Sequence, residues 1–331
     1  MGFHTFRAAT VAAFACGLTA LATTPAAAQQ SSAPYPARPV RLVVPFPAGG
    51  FSDVVVRVMT PRLSERLGQP AVVDNRPGAS GNIGADIVAK APPDGYVLLI
   101  NSGNFATNAA LSSKLPFDSI RDFAPVTLLA ETPLVIVVHP SLPVKSVKEL
   151  VALARSRPGE LNYASSGVGT TGHLAAELLK SMARVDMVHI AYKGGIPNMT
   201  AVLSGEASVT FPNLPAAVPH LRNGRLRALA VTSARRSQSL KELPTVAEAG
   251  YPGYDLAGWL GVAAPAGTPP EIIKRLHADF LAVLNLADTR TKFIEQGADP
   301  VGNTPQEFGA YLESQIARLK KIGATAGVKP E

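Results

Sequence analysis

The chain is almost without cysteine. Its single one, Cys16, lies in the first 28 of 331 residues, so the remainder has no disulfide framework and no thiol chemistry. Aromatic residues make up only 6 % of the chain, with one Trp. The densest basic clusters are the pairs Arg235-Arg236 and Lys320-Lys321. A nucleic-acid surface needs a basic stripe interleaved with aromatics, which excludes that partner here. The longest apolar run near the start, Ala8 to Ala22, has 15 residues, short of the roughly 20 that cross a bilayer. Several catalytic signatures are also missing: H-E-x-x-H, G-x-S-x-G, C-x-x-C and a glycine loop followed by G-K-[ST]. The histidines His139, His173, His189, His220 and His277 show no metal-ligand spacing. No metal or cofactor is expected.

What is present begins with an export layout. Arg7 is the only charge in the first 28 residues; the apolar run follows, then Thr23-Thr24-Pro25 and the small-residue site Ala26-Ala27-Ala28. Charged start, apolar middle and A-x-A cleavage site make a secretory signal peptide over residues 1–28. Cleavage leaves 303 of the 331 residues and lowers the formal net charge from +7 to +6. Cys16 raises the alternative of a lipid anchor, but Ala13-Phe14-Ala15 lacks the Leu that a lipidation motif begins with. The mature length suits two domains.

Strand and helix signals alternate. Val40 to Phe46 reads as a buried strand, Asp53 to Leu67 as a helix ended by Gly68, and Ala71 to Asp74 as the next strand. Asn82 to Ala91 reads as a helix and Tyr96 to Ile100 as a strand, which gives an α/β domain with a largely parallel sheet. A second unit runs from the helix Val147 to Arg155 through the strand Arg227 to Thr232, with a helix at Ala216 to Asn223. Leu128 to His139 and Gly250 to Gly267 read as two crossings between the units, and helices at Pro270 to Asn285 and Pro305 to Ile322 close the chain. Two α/β lobes joined by two crossings enclose a cleft, where small molecules bind.

Two glycine loops share one construction. "RLVVPF" is followed by "PAGGFSD" and a helix; "LNYA" is followed by "SSGVGTTGH" and a helix. Each places backbone N–H groups and the positive end of a helix dipole at a strand tip, which suits an anion. The alternative is an ordinary N-cap at each helix. Gly167-Val168-Gly169-Thr170-Thr171-Gly172 also spells G-x-G-x-x-G. A dinucleotide site further requires an acidic residue about 20 positions on, at the end of the next strand. That strand ends in "AYKGG", so the fingerprint is incomplete. A serine hydrolase built on Ser165 or Ser166 with His173 stays open from the residues alone.

The segments "YPARPVRLVVPFPAGGFSD", "VVDNRPGASGNIGA", "APPDGYVLL", "YASSGVGTTGHLAAELL", "HIAYKGG", "LRALAVTSARRS", "LPTVAEAGYPGY" and "WLGVAAPAGTPPEI" occur in this order between Tyr35 and about Leu319. Together they resemble the Bug family, the extracytoplasmic receptors of tripartite tricarboxylate transporters. The resemblance implies a monomeric, periplasmic two-lobed binding protein of type II-like fold, in which 35–130 with 255–331 forms one lobe and 131–254 the other. It further implies a small carboxylate ligand and a membrane permease partner with a large and a small subunit; an adaptor that signals to a membrane kinase is the alternative partner class. By position, the first-lobe clamp is Pro47, Ala48, Gly49, Gly50, Ser52 and Asp53, with Phe51 facing the ligand or packing under the helix. The second-lobe clamp is Ser165, Ser166, Gly167, Gly169, Thr170 and Thr171. Asn101, Ser102 and Asn104, in the loop after the strand at Tyr96 to Ile100, are expected to line the cleft, with Tyr192, Lys193 and Asn213 as weaker candidates. The chain departs from the family at Ala48, where Gly or Pro is frequent, and at Pro212, where an acidic or polar residue is common.

Overall fold

The computed structural model describes residues 35–325, 327 and 328. The export layout at 1–28, Cys16 included, lies outside the described residues. In strand β1 (Val40–Val44), Val40, Leu42 and Val44 join one hydrophobic cluster and Val43 joins another. Successive side chains of a strand point to opposite faces, so β1 is buried on both. Helix α1 (Phe51–Leu67) covers the first face with Val55, Met59 and Leu63. Pro61 interrupts the hydrogen-bond ladder of α1, and Thr60 Oγ1 donates instead to the Arg57 carbonyl, 3.1 Å away. After β2 (Ala71–Asn75), helix α2 (Asn82–Ala89) covers the second face through Ala85 and Val88.

The remaining strands are β3 (Val97–Ser102), β4 (Phe123–Pro133), β5 (Val135–Val138), β6 (Asn162–Ser165), β7 (Val188–Ala191), β8 (Val209–Thr210), β9 (Arg227–Val231), β10 (Ala257–Pro265) and β11 (Asp299–Pro300). The remaining helices are α3 (Gly103–Leu111), α4 (Val147–Ser156), α5 (Thr171–Ala183), α6 (Gly195–Leu203), α7 (Leu214–Arg222), α8 (Pro270–Leu284), α9 (Ala287–Glu295) and α10 (Pro305–Thr325). One sheet has the order β11-β4-β10-β3-β1-β2 and the other β7-β6-β8-β5-β9. In the first, β1 is parallel to β2 and β3, while β10 runs antiparallel to β3 and β4. In the second, β6 is parallel to β7 and β8, while β5 runs antiparallel to β8 and β9. The expected largely parallel sheet is therefore corrected to two mixed sheets of one design. A parallel trio is closed in each by a strand that arrives through a crossing, and a strand entering from the other lobe meets the trio from the opposite direction.

The first crossing passes from β4 to β5 through Pro133 and Leu134, and the second from β9 to β10. They are joined where they pass: Thr232 N–H donates to the Leu134 carbonyl, 2.9 Å. Val135 and Val137 face α6 and α7 in a third cluster, whereas Ile136 and Val138 belong to the same cluster as Phe308 of α10. That cluster is continuous through both lobes.

Candidate functional site

Cleft residues are carried by helix starts. At the tip of β1, Gly49 has φ +77° and Gly50 is the N-cap of α1 without a side-chain hydrogen bond to the helix. Asp53 is turned away from the cleft and fixes the loop instead. It accepts hydrogen bonds from Gly49 N–H (2.9 Å), Arg57 Nε (3.0 Å) and Asn75 Nδ2 (3.0 Å). Burial works against its charge, but Arg57 and the other donors outweigh it and hold the carboxyl below the usual carboxylate range. The first turn of α1 therefore keeps its amides free of a side-chain cap.

In the second lobe each glycine of the G-x-G-x-x-G has a separate reason. Gly167 and Gly169 have φ of +136° and +75°, a backbone region that residues with a Cβ rarely adopt. A Cβ on Gly172 would lie 2.7 Å from the Phe211 carbonyl oxygen, so the third glycine lets α5 pack against the end of β8. The loop hangs on two stacked imidazoles, His173 and His189, with ring centroids 4.1 Å apart. Gly169 N–H donates to His173 Nδ1 at 3.0 Å, and Ser165 Oγ lies 2.6 Å from His189 Nε2. Burial, followed by the neighbouring His189, pulls His173 down to about 4; burial lowers His189 as well. His173 Nδ1 is thus an acceptor of a neutral ring. Ser165 is 1 % exposed, and Ser166 Oγ accepts from Asn198 Nδ2. Neither serine is paired with His173, so the hydrolase arrangement is not formed.

Four helix N-termini, two from each lobe, meet at one cavity of about 270 Å³. Gly50 and Phe51 open α1, Ser102 and Gly103 open α3, Thr171 opens α5, and Asn213 caps α7. The N-caps of α1, α3 and α7 make no side-chain cap hydrogen bond, while Thr170 at α5 accepts from His173 N–H at a long 3.5 Å. The capping alternative thus fails at the first loop and holds weakly at the second. Trp259 and Gly258 of β10 and Thr132 of β4 complete the wall. Asn104 also lines an adjoining cavity of about 290 Å³ bounded by Ser80, Asn82, Asn108, Gly169 and Thr170. Among the described residues, no Asp, Glu, Lys, Arg or His lines either cavity.

Of the residues expected at the ligand, Pro47, Gly50, Phe51, Ser52, Ser102, Asn104, Thr171 and Asn213 line the cavity at the helix starts, and Gly169 and Thr170 the adjoining one. Ala48, Gly49, Asp53, Ser165, Ser166 and Gly167 line neither cavity, Ala48 and Gly49 being exposed, and Lys193 is exposed outside both. Tyr192 donates its hydroxyl to Glu206 Oε1 (2.8 Å), away from both cavities. Asn101 and Ser102 end β3 and Asn104 lies in α3, so the loop expected there is a strand followed by a helix. Asn101 is buried and borders neither cleft cavity. Sequence reasoning missed Phe46, Asn82, Asn108, Thr132, Gly258 and Trp259. The signal for the last three was available, since segments that cross between lobes must floor the cleft.

The chain matches the model of the tripartite tricarboxylate transporter family receptor over residues 55–328. Protein BugT of Bordetella pertussis is 39 % identical over 313 residues, covering 93 % of this chain and 95 % of that protein. Among solved structures, R. palustris Rpa4515 with adipate superposes with a TM-score of 0.81 at 44 % identity, covering 90 % of this chain and 100 % of that one. MatC from Rhodopseudomonas palustris with bound malate gives 0.74 at 32 % identity, covering 87 % and 99 %. With its two mixed sheets, its cleft and these relatives, the chain belongs to the tripartite tricarboxylate transporter receptors, the Bug family of two-lobed solute-binding proteins, which are receptors and not enzymes.

Proposed function

We propose that the protein captures a small dicarboxylate between its lobes and delivers it to a tripartite permease from the periplasm. The observation that carries the reading is the convergence of four helix N-termini on a cleft that no charged side chain lines among the described residues. Each helix start supplies partial positive charge, and those of α1, α3 and α5 also orphan N–H donors, whereas α7 carries Pro215 in its first turn. A carboxylate held this way needs no Arg and no metal. One carboxylate would meet the amides at Gly50 to Ser52 and the Thr171 hydroxyl. The second would reach toward Asn104 and the adjoining cavity, whose amide and hydroxyl side chains can donate to it. The relatives solved with adipate and with malate each hold a dicarboxylate, which supports this class and leaves chain length as the variable. The lobes would be 35–130 with 255–331 and 131–254, closing over the ligand.

A thermal-shift series over C4 to C6 dicarboxylates tests the reading. A ligand at 100 times its Kd adds about 2.7 kcal/mol to the folded state, a clear rise in melting temperature. At least one member should produce it, and the matching monoamide should produce less. A panel of dicarboxylates with no shift at millimolar concentration would sink the proposal.

A further inference from the structure

Asn101 lies inside β3 at 1 % exposure, and neither its Nδ2 nor its Oδ1 has a hydrogen-bond partner. Ser119 Oγ, at 6 % residue exposure, is also without one. These are three of the four such buried side-chain atoms among the described residues. All three belong to residues that line one cavity of about 150 Å³, on the face of the first sheet covered by α10, whose lining shares no residue with the two cleft cavities; Asn101 also borders a void of only about 10 Å³ beside Phe46, Asn82 and Ser102. Buried polar groups in folded proteins are satisfied nearly without exception, because a group taken from water and left unpaired loses its hydration with nothing in return. Two residues that carry three unpaired atoms and border one void mark a place for something that supplies hydrogen bonds. The opposing strand makes room for the Phe308 ring and the amide: Gly261 faces Asn101 in register, and a Cβ there would collide with Phe308 Cζ and lie 2.9 Å from Asn101 Oδ1.

The chemistry of the walls narrows the occupant. The amide offers a donor and an acceptor side by side, and the hydroxyl offers either. A carboxylate can take the Nδ2 donor but has nothing to give Oδ1, and Glu313 at the rim repels it. A metal ion would find one amide oxygen, one hydroxyl and the single rim carboxylate of Glu313, and no cluster of three or more His, Cys, Asp or Glu exists among the described residues. Phe123, Pro125, Ala263, Phe308 and Leu312 give the rest of the cavity an apolar lining. One water needs only about 10–15 Å³ of such space, so the void is large enough for several waters or a small organic body.

We propose that this cavity is a second binding site, for a small neutral molecule that presents a donor and an acceptor together to Asn101 and Ser119. Water and a primary amide share that chemistry, and acetamide serves as the probe. Crystals grown with and without acetamide distinguish the two sources. Ordered solvent on Asn101 and Ser119 that acetamide replaces assigns the site to organic amides; solvent that acetamide leaves in place assigns it to water. A dry cavity in both crystals overturns the proposal. In solution, the Asn101 side-chain NH2 resonance should shift saturably with acetamide and not with formate. Ser119→Ala should weaken acetamide several-fold, and Asn101→Leu should abolish its binding as read by crystal density. Equal response to formate, or acetamide density that survives Asn101→Leu, overturns it. If Asn101→Leu fails to fold, Ser119→Ala still decides, since unchanged affinity there removes the hydroxyl from the site. Dicarboxylate affinity in the cleft is read separately, so loss of the cleft reading leaves this one standing.

Discussion

At the scale of single residues, the second-lobe loop depends on a proton that is absent. His173 accepts the Gly169 N–H at Nδ1, and a protonated ring would turn a donor toward that donor. The groups facing the imidazole pair are Tyr163, stacked on His189, together with Glu177 and Lys180 of α5; Glu177 favours protonation and Lys180 opposes it. His173 sits at about 4 in the folded protein against an ordinary 6.5. Below 6.5 the unfolded chain takes up a proton that the folded chain refuses, so stability falls as pH drops from about 6.5 toward 4. In His173→Asn, the amide oxygen can replace Nδ1 as acceptor and does not titrate. Its melting temperature should therefore fall less over that pH window than that of the wild type. Parallel pH profiles of the two proteins would show that the ring does not govern this loss.

At the scale of elements, most of the fold was legible and helices α3 and α9 were not. Strands β1 and β6 and helices α1, α5, α8 and α10 follow apolar periodicity and turn residues, and their ends moved by only a few residues. Helix α3 was hidden because its first turn, Gly103-Asn104-Phe105-Ala106, begins with two residues that favour turns. Tertiary contact supplies what propensity lacks there: Phe105 packs with Phe117 and Phe123 in an aromatic cluster. Missing α3 meant missing one of the four convergent N-termini, and starting α7 at Ala216 instead of Leu214 hid another. Two of the helix starts that meet at the cleft cavity were legible as glycine loops, whereas the structure brings four there. Asn104→Asp tests the proposed electrostatic account with opposite signs. An acid in the first turn favours the dipole of α3 by about 0.3–1 kcal/mol, so the melting temperature should hold or rise. The same charge repels a carboxylate, and dicarboxylate affinity by calorimetry should drop at least about tenfold, or 1.4 kcal/mol. Retained affinity would show that the start of α3 does not face the ligand.

At the scale of the whole molecule, residues 35 onward form one compact unit although they build two sheets. The continuous core cluster and the Thr232–Leu134 hydrogen bond tie the crossings together, so thermal unfolding of the apo protein should be a single transition. Two resolved transitions in calorimetry would mean that the lobes melt independently. If the lobes close over a ligand as proposed, the movement bends this same tie, and Gly258 sits in it at a close contact. It pairs with Thr132 in register, and a Cβ at 258 would lie 2.5 Å from Thr132 Oγ1, 3.1 Å from the Thr132 carbonyl oxygen and 3.3 Å from Asn213 Oδ1. Two of those atoms belong to the first crossing and one to the cap of α7, so a single methyl group presses on both lobes at the cleft floor. Overpacking of this kind costs about 1–3 kcal/mol. Gly258→Ala should lower the melting temperature and also hold the lobes apart. Small-angle scattering with saturating dicarboxylate should show the radius of gyration falling in the wild type and falling less in the variant. A variant that contracts as fully as the wild type, with equal affinity, would place the bending elsewhere than where β4, β10 and α7 meet.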